Sequence, residues 1–428
     1  MKPLGFVVAL FLLIAQPAWA TNDDFFREQW ALQRLHVEAA WQLTTGTGVV
    51  VAVIDTGVDL GHPDLQGKLL PGRDFVDGDM KPQDLNGHGT HMAGTIAAIT
   101  GNGLGIAAVA PNASILPVRV LDAAGRSDDP AKVAEAIRWS VDNGAGVINL
   151  SLASDGLGAS RAGNDELLGA AQIDHAIRDA ASRGAVVVVA AGNNESGGRP
   201  KTSYDARVPG SIVVGASTNG DRRAAYSNYG TGLDVLAPGG GSATDPSFDK
   251  GCNSENAVVG LYWNSKKKKK SDYAGACGTS VAVAHVSGVA ALLVARGFSN
   301  AEAVDRIEKS AVDVGVRGFD AQSGFGRVDA QAALVAPGVP SPRPLPQITS
   351  EQSIPSVGAA ASTSPSALRD TRTTTKRGVP IAVAIALFFL VGWAFAEFFG
   401  RRTGALRVED FVEEPDKAAN EYPDYPGG

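Results

Sequence analysis

The sequence predicts an α/β protein in which a mostly parallel β-sheet carries helices on both faces. Short uninterrupted apolar runs, such as residues 49–54 and 185–190, are typical of strands that are buried on both sides. Helical patterns lie between these runs, and this alternation indicates strand–helix–strand units. Glycine is abundant, at 51 of 428 residues, as expected where many tight turns join strands to helices.

The predicted elements follow one another in a regular order. Strands are predicted at residues 49–54, 114–121, 147–152, 185–190 and 212–216, and helices at residues 131–141, 167–182, 279–295 and 301–311. Ser299 is the predicted N-cap of the last helix, because its hydroxyl can accept a hydrogen bond from the first turn. In open parallel sheets, sites form beyond the carboxyl ends of the strands, and the polar motifs of this chain fall there.

The N-terminus carries a targeting signal. Residues 1–20 predict a secretory signal peptide, with Lys2 ahead of an apolar stretch and Ala18-Trp19-Ala20 as a small-x-small cleavage site. A buried core helix is the alternative interpretation. We expect the mature chain to begin near Thr21 and to fold without a propeptide.

The C-terminal region predicts a linker, a membrane anchor and a tail. Residues 336–377 are rich in Pro, Ser and Thr and too polar to bury a core, which is typical of a linker. Residues 378–399 are apolar over about 20 residues, the length that spans a bilayer, and Glu397 is their one charge. Basic pairs flank both ends, so the signal peptide decides the orientation. We expect a single-pass cell-membrane protein with residues 21–335 in the periplasm or at the cell surface and residues 400–428 in the cytoplasm.

Net charge and cysteine content indicate which partners and which redox environment the chain favours. The net charge of -7 and the pI near 5.5 argue against a nucleic-acid partner, which would favour a basic surface. The two cysteines, Cys252 and Cys277, favour a single disulfide in an exported chain. Two free buried thiols are the alternative. A metal site at these cysteines is disfavoured, because His285 is the one histidine near them in sequence.

Three polar motifs supply the groups that nucleophilic catalysis needs. Asp55 ends the first predicted strand within Ile-Asp-Thr-Gly, His88 lies in Asn-Gly-His-Gly-Thr-His, and Ser280 follows Gly-Thr at the start of a predicted helix. A lone aspartate at a strand end is most often structural, so no single motif is decisive. Together the three offer a nucleophile, a general base and an orienting carboxylate.

In that order, Asp-Thr-Gly, His-Gly-Thr-His and Gly-Thr-Ser resemble the motifs of the subtilisin family of serine peptidases. The resemblance covers residues 22–334 and is closest to thermitase-like members. It rests further on Asn22-Asp23, His62-Pro63-Asp64-Leu65, Asp74-Phe75-Val76-Asp77 and Ala110-Pro111-Asn112-Ala113-Ser114. It implies a three-layer subtilisin-like fold and a serine endopeptidase that hydrolyses protein and peptide substrates through an acyl-enzyme.

The resemblance also implies roles for individual residues. Asp55, His88 and Ser280 match the catalytic triad, with His88 as general base and acid and Asp55 as the group that holds its tautomer. Asn193, within Ala-Ala-Gly-Asn, matches the oxyanion-hole asparagine, whose partner would be the main-chain N–H of Ser280. A turn residue that follows a strand is the alternative interpretation of Asn193.

Structural calcium is a further implication of the resemblance, since oxygen-rich loops suit this ion. Two sets of residues match calcium sites of the family: Asp23, Asp64 and Asn102, and, as the weaker match with Asp77 close by, Asp74, Asp79 and Gln83. Solvated acidic turns are the alternative for both sets. The other histidines that we considered, His62, His91, His175 and His285, are expected to be structural, with His175 exposed.

The chain departs from the family pattern in its substrate strand, in a loop and after the serine. Ser151, Leu152 and Ala153 match the segment that pairs with substrate, but Ala153 replaces a glycine, and its methyl group would narrow the P1 pocket. Residues 240–275 form a longer connection than usual and include five lysines at 266–270. These lysines are either a solvated loop or a basic patch that recruits acidic substrates or anionic headgroups. Val281 replaces an oxidisable methionine, so activity should survive mild peroxide.

Two other functions compete with a free-standing endopeptidase. One is a catalytically idle binding protein built on the same fold. The other is a membrane-anchored assembly protease of a secretion or envelope complex, as in mycosins, which share a proline-rich linker and a terminal anchor. Retention of the triad residues and of Asn193 favours an active enzyme.

Overall fold

The structure is a computed structural model, and it describes residues 21–127, 129–152, 164–194, 210–264, 267 and 271–336. The predicted signal peptide and membrane anchor, the linker beyond residue 336 and the tail lie outside these ranges. Within the ranges, no helix combines the length and the hydropathy needed to cross a bilayer.

A seven-stranded parallel sheet lies at the centre of the described part of the chain. Its strands are β1 (Val50–Asp55), β2 (Arg73–Asp74), β3 (Ser114–Arg119), β4 (Val147–Leu150), β5 (Val186–Ala190), β6 (Ser211–Ser217) and β7 (Val235–Pro238). Their order across the sheet is β2-β3-β1-β4-β5-β6-β7. Ile54 of β1 pairs with both Val118 of β3 and Leu150 of β4, so the carboxyl ends of these three strands meet at one rim.

Helices cover both faces of the sheet. The longer ones are α3 (His88–Ala97), α4 (Pro130–Asp142), α5 (Asn164–Ser182), α7 (Thr279–Ala295) and α8 (Asn300–Lys309); the short ones are α1 (Trp30–Arg34), α2 (Val37–Trp41), α6 (Phe248–Gly251) and α9 (Ala330–Val335). Val51 and Val53 share one buried cluster with residues of α3 and α7, whereas Ala52 and Ile54 share another with residues of α4 and α5. This alternation follows from the two-residue period of a strand. The predicted α/β architecture is confirmed.

Most predicted elements agree with the structure to within a few residues, and helix α7 has the predicted bounds. Ser299 caps α8 in a reciprocal capping box with Glu302, as the sequence predicted for the Ser299 hydroxyl. The strand predicted at residues 147–152 ends earlier, at Leu150, so that Ser151 and Leu152 follow the strand at the rim.

The long connection before Ser280 folds into an antiparallel hairpin of β8 (Val258–Trp263) and β9 (Ser271–Ala276). Cys252 and Cys277 form a disulfide, which confirms that prediction. The hairpin packs on α3 so closely that a Cβ at Gly94 would lie 2.3 Å from the Leu261 side chain. The long connection therefore forms an ordered hairpin that packs against α3, the helix that carries His88.

Candidate active site

Asp55 is the last residue of the central strand β1 and is fully buried. Its Oδ1 atom lies 2.7 Å from Nδ1 of His88 and accepts the main-chain N–H of Thr56 at 2.7 Å. Because a carboxylate only accepts hydrogen bonds, Nδ1 of His88 carries the proton and Nε2 of the neutral ring is left to act as a base. The Oδ2 atom of Asp55 is buried and has no hydrogen-bond partner in the described part of the chain.

His88 is the first residue of α3, and glycines on both sides bring it close to β1. A Cβ at Gly89 would lie 2.0 Å from the carbonyl oxygen of Gly57 and 3.1 Å from Cβ of Asp55. No larger residue fits there, so the Gly-His-Gly sequence has a steric cause. On the other side, a Cβ at Gly87 would lie 2.3 Å from the ring of Tyr262 in β8.

The electrostatic environment favours the protonated form of His88. Burial alone would lower its pKa, but the charge and hydrogen bond of Asp55 and the charge of Asp84 together outweigh burial and raise the pKa above its usual value. The ring is still about one third exposed, with 35% of the side-chain surface accessible, so a substrate can reach it.

Ser280 lies in the first turn of α7, where main-chain N–H groups have no partner within the helix. Its hydroxyl donates to the carbonyl oxygen of Ser151 at 3.3 Å, and the Ser151 hydroxyl donates to the carbonyl oxygen of Ser280 at 3.1 Å. Ser151 follows β4, the strand next to β1, so Ser280 lies at the rim that also carries Asp55. Among the described hydrogen bonds, none joins the Ser280 hydroxyl to His88.

Asn193 follows β5 and is oriented by Thr279. Its Oδ1 atom accepts hydrogen bonds from the main-chain N–H and the hydroxyl of Thr279, at 3.0 and 2.9 Å. Its Nδ2 atom is thereby turned toward the site: a Cβ built on Gly278 would lie 3.8 Å from this atom and 3.8 Å from the main-chain nitrogen of Ser280. The Asn193 amide nitrogen and the main-chain nitrogen of Ser280 thus lie at equal distance from one point next to Gly278, an arrangement that suits an oxyanion hole.

Comparison with known proteins agrees with this geometry. The profile of the Subtilase family of peptidases matches residues 46–326. The chain is 40% identical to the thermophilic serine proteinase of Bacillus sp. (strain AK1) over 319 residues, covering 74% of this chain and 70% of that protein. It is 37% identical to thermitase of Thermoactinomyces vulgaris, over 74% of this chain and 99% of thermitase. The chain belongs to the subtilase family.

Solved structures show the same relationship. A protease of Pseudoalteromonas arctica PAMC 21717 superposes with a TM-score of 0.61 at 32% identity, over 74% of this chain and 99% of the other. A lanthipeptide protease superposes with a TM-score of 0.60 at 26% identity. With the relatives above, these similarities identify this subtilase as a serine endopeptidase with a subtilisin-like fold.

The predicted substrate segment is described only in part. Ser151 and Leu152 are buried, and the carbonyl oxygen of Ser151 accepts the Ser280 hydroxyl. Ala153 lies outside the described residues, and so does most of the lysine run at 266–270. Within that run Lys267 is described, and its ammonium lies 2.6 Å from the carboxylate of Asp272.

The first predicted calcium set comes together in this subtilase. Asp23 accepts the main-chain N–H groups of Gly101 and Asn102, at 2.9 and 3.1 Å, and Asp64 accepts Nδ2 of Asn102 at 2.8 Å. Burial raises the pKa of Asp64 to about 6, and the charges of Asp23 and Asp24 add to that effect. A cation would offset the negative charge of these neighbouring carboxylates. The Asn102 Oδ1 atom accepts the main-chain N–H of Leu104 at 2.9 Å, so Ca²⁺ here would have to replace hydrogen bonds that these oxygens already make. No cluster of three His, Cys, Asp or Glu side chains in the described ranges has metal-site spacing, so main-chain carbonyls would have to complete the shell.

The second predicted set does not fit a metal ion, because an arginine already supplies the positive charge. Asp74 and Asp77 both bind Nη1 of Arg119, at 2.7 and 2.6 Å. Asp79 and Gln83 use their side-chain oxygens to accept nearby main-chain N–H groups instead. The expectation of calcium at Asp74, Asp79 and Gln83 is corrected accordingly. Sequence could not show this, since Arg119 is distant from them along the chain.

Two of the remaining histidines, His91 and His285, are structural, and His175 is exposed as predicted. His91 and His285 are buried, and each has a ring nitrogen near a main-chain oxygen, that of Val258 at 3.2 Å and that of Pro238 at 2.8 Å. Burial lowers the pKa of both rings to about 4. Asp84, a fully buried residue four positions before His88, was not among the predicted site residues. The sequence feature that could have identified it is an aspartate just before a helix whose first residues are polar or glycine.

Proposed function

We propose that this subtilase cleaves internal peptide bonds with Ser280 as nucleophile, His88 as general base and acid, and Asp55 as the orienting carboxylate. The observation that carries the proposal is the 2.7 Å contact between Asp55 and His88 at the rim where Ser280 and the Asn193 amide also lie. Such a group of residues suits acyl transfer to a hydroxyl.

In the proposed first half-reaction, the Ser280 hydroxyl leaves the Ser151 carbonyl, passes its proton to Nε2 of His88 and attacks the substrate carbonyl carbon. The carbonyl oxygen becomes an oxyanion, which the Nδ2 of Asn193 and the main-chain N–H of Ser280 stabilise. His88 then donates the proton to the leaving amine, the C–N bond breaks, and an ester with Ser280 remains.

In the second half-reaction, water attacks the ester and His88 accepts its proton. The tetrahedral intermediate forms in the same oxyanion hole and collapses to the carboxylic acid product, while His88 returns the proton to Ser280. Asp55 keeps the ring in one tautomer and stabilises its protonated form throughout. The raised pKa of His88 is consistent with that role.

Fluorophosphonate labelling distinguishes an active enzyme from an idle scaffold on the same fold. A phosphonylating probe reacts with an activated serine, so the wild type should become labelled and Ser280→Ala should not. Ser287→Ala serves as the matched control: this serine is in the same helix, but its hydroxyl is buried and donates to Asn149. Equal labelling of wild type and Ser280→Ala would reject the proposed nucleophile.

We further propose that the chain is exported and held at the cell membrane by residues 378–399, with the peptidase domain outside the cytoplasm. The sequence of the two apolar termini supports this proposal. Carbonate extraction of membranes tests it: the full chain should stay in the membrane fraction, and a chain that ends at residue 336 should be released. Co-purification of secretion or envelope proteins with the full chain would support the assembly-protease alternative.

Calcium at Asp23, Asp64 and Asn102 is proposed as a structural cofactor, supported by the raised pKa of Asp64 among neighbouring carboxylates. When bound, the ion would supply positive charge that holds the N-terminal segment to the loop at residues 101–106. Thermal unfolding in calcium and in chelator tests this. Calcium should raise the melting temperature of the wild type and have little effect on Asp64→Asn.

A further inference from the structure

The loop that leads into α3 contains a buried carboxyl group that the reaction scheme does not use. Asp84 is fully buried, and its two oxygens accept five hydrogen bonds. Oδ1 accepts from the Thr56 hydroxyl and from the main-chain N–H groups of Asn86 and Gly87, all at 2.9 Å. Oδ2 accepts from the main-chain N–H and the hydroxyl of Thr90, at 3.0 and 2.6 Å.

These hydrogen bonds hold the His88 segment on both sides. Asn86 and Gly87 precede the histidine, and Thr90 follows it by two residues. The Thr56 hydroxyl, which donates to Asp84, also accepts the main-chain N–H of Gly89 at 3.0 Å. Thr56 is the residue after Asp55, so Asp84 ties the orienting carboxylate and the histidine segment to one common point.

Asp84 also has no fixed positive partner. Among the described residues, it forms no ion pair with a lysine or arginine. Burial raises the pKa of the Asp84 carboxyl group, and the hydrogen bonds from Thr90, Gly87 and Asn86 act against that rise. Main-chain N–H groups cannot accept a proton from a carboxylic acid, so the arrangement of donors favours the ionised form. Two hydroxyls among the donors are already occupied as acceptors, the Thr56 hydroxyl by Gly89 and the Thr90 hydroxyl by the main-chain N–H of Asp59.

The charged and titratable groups around His88 come from β1, from the loop before α3, from α3 itself and from β8. Asp55 at the end of β1 and Asp84 in the preceding loop both raise its pKa. His91, one turn along α3, is buried with a pKa lowered to about 4 and is neutral near pH 7. Tyr262 of β8 packs against Gly87.

We propose that Asp84 is a positioning residue for His88 that both fixes the turn carrying the imidazole and adds a second negative charge, besides that of Asp55, to stabilise the imidazolium. This inference rests on the proposed function. It assigns a role in catalysis to a residue that touches neither the substrate nor the reacting atoms.

The test is the pH profile of kcat/KM for Asp84→Asn, measured on active-site-titrated enzyme with a neutral peptide substrate. Asparagine keeps the shape but removes the charge, so the acidic limb should move to lower pH by about half a unit to one unit. On the alkaline plateau kcat should fall roughly tenfold with KM unchanged, because a misplaced base slows the chemical step.

Two control variants separate charge from structure. Thr90→Val removes one hydroxyl hydrogen bond to Asp84 but keeps both charges, so plateau activity should fall while the acidic limb stays in place. Asp59→Asn removes another buried carboxylate from the same region, which binds the Ser271 hydroxyl at 2.5 Å and is not among the charges acting on His88. Its acidic limb should also match the wild type.

If the wild type is active and the acidic limb of Asp84→Asn lies at the wild-type pH, this inference is overturned and the triad is unaffected. A wild type without activity or probe labelling overturns the proposed function instead. If Asp84→Asn does not fold, Asp84→Glu decides: its retained charge should keep the limb at the wild-type pH while its extra length lowers kcat. A shifted limb or an unchanged kcat in Asp84→Glu would contradict the proposal.

Discussion

The two sides of the catalytic rim are held by different interactions. On the histidine side, residues 55–59 and 84–91, the buried carboxylates of Asp55 and Asp84 accept most of the hydrogen bonds that fix the ring and its turn. On the nucleophile side, residues 226–241 and 277–285, neutral groups serve instead. The Tyr226 hydroxyl shares its proton between the carbonyl oxygens of Gly239 and Gly240, at 2.8 and 2.9 Å. The main-chain N–H of Gly278 donates to the carbonyl oxygen of Gly239 at 2.9 Å.

A covalent bond also stabilises the nucleophile side, because Cys277, three residues before Ser280, forms a disulfide with Cys252. The difference follows from the chemistry of each side. In the proposed reaction, His88 gains and loses a proton, and nearby negative charges change the pKa of its ring. Ser280 needs a fixed position and donors without competing charge. Substitutions on the histidine side should therefore change pH dependence, and those on the nucleophile side should change rate or stability without moving the pH profile.

The largest effect should come from Asp55→Asn. Asparagine would donate to the ring and favour the wrong tautomer, so kcat should fall by about 10⁴, the size seen when this group is changed in serine peptidases. Steady-state kinetics on titrated enzyme measures it. Asp179→Asn, at a partly exposed carboxylate in α5, is the control and should match the wild type. A loss below tenfold for Asp55→Asn would remove this residue from the triad.

Asn193→Ala should have the next largest effect, on the nucleophile side. Loss of one oxyanion donor lowers kcat by about 10²–10³, a magnitude known from this family, with KM little changed. Asn194→Ala is a matched control, because the side chain of this neighbour is exposed and the contact to Asn228 uses its main-chain N–H. The pH profile of Asn193→Ala should keep the wild-type shape. A shifted acidic limb would show that the two sides are not separable.

Removal of the disulfide should weaken the nucleophile side through stability. The bond joins residues 25 apart, and a loop of that size contributes about 3 kcal/mol by the chain-entropy estimate. Urea unfolding of the Cys252→Ser and Cys277→Ser double variant measures the loss. The wild type under reducing conditions should have the same free energy of unfolding as the variant. If neither loses stability, packing of the hairpin on α3 is sufficient to hold the segment without the disulfide.

The two buried neutral histidines should make the fold sensitive to acid. The pKa of His91 and of His285 is lowered to about 4 in the folded state, so between about pH 6.5 and 4 the unfolded chain binds more protons. Stability is therefore lost as the pH falls through this window, by up to about 3 kcal/mol for each ring. Asp64 and Glu308 act in the opposite direction, because burial raises their pKa to about 6 and about 7.

Differences between variants isolate the histidine contribution. His285→Asn keeps a donor for the Pro238 carbonyl and His91→Gln keeps one for the Val258 carbonyl, but neither new residue titrates. In urea titrations, the free energy of unfolding of each variant minus that of the wild type should increase as the pH falls from about 6.5 to about 4. A pH-independent difference would contradict the assignment of these rings as buried and neutral.

The smallest effect concerns Val281, the buried residue after the nucleophile. Wild type has no thioether at this position, so mild peroxide should leave its activity nearly unchanged, whereas Val281→Met should become sensitive. Residual activity after timed exposure measures the difference. Equal inactivation of both proteins would place the sensitive group elsewhere.

Much of this architecture could be predicted from the sequence, because period and motif are local signals. The apolar run that forms β1 and the continuous apolar helix α7 are recognisable without tertiary information. The triad motifs could be placed because each ends a strand or begins a helix. The β8–β9 hairpin was missed, since its strands are held by packing on α3 and by a disulfide rather than by a distinct pattern.

Electrostatic partners were the least predictable feature. Asp74 matches a calcium-site pattern together with Asp79 and Gln83, but Asp74 and the nearby Asp77 bind Arg119, which is distant in sequence. Asp84 resembles an ordinary loop residue until its five donors are located in space. A sequence shows which charges exist, whereas only the fold shows which of them meet.

A bifunctional inhibitor tests the convergence of the triad most directly. A peptidyl chloromethyl ketone forms a bond to a catalytic serine and alkylates a histidine only when both reach one substrate carbonyl region. Mass spectrometry of the digested adduct should find the inhibitor on the His88 peptide, with chloride lost, and both Ser280→Ala and Asp55→Asn should slow its formation. An adduct confined to other residues, or alkylation of His88 at the same rate in Ser280→Ala, would contradict the account.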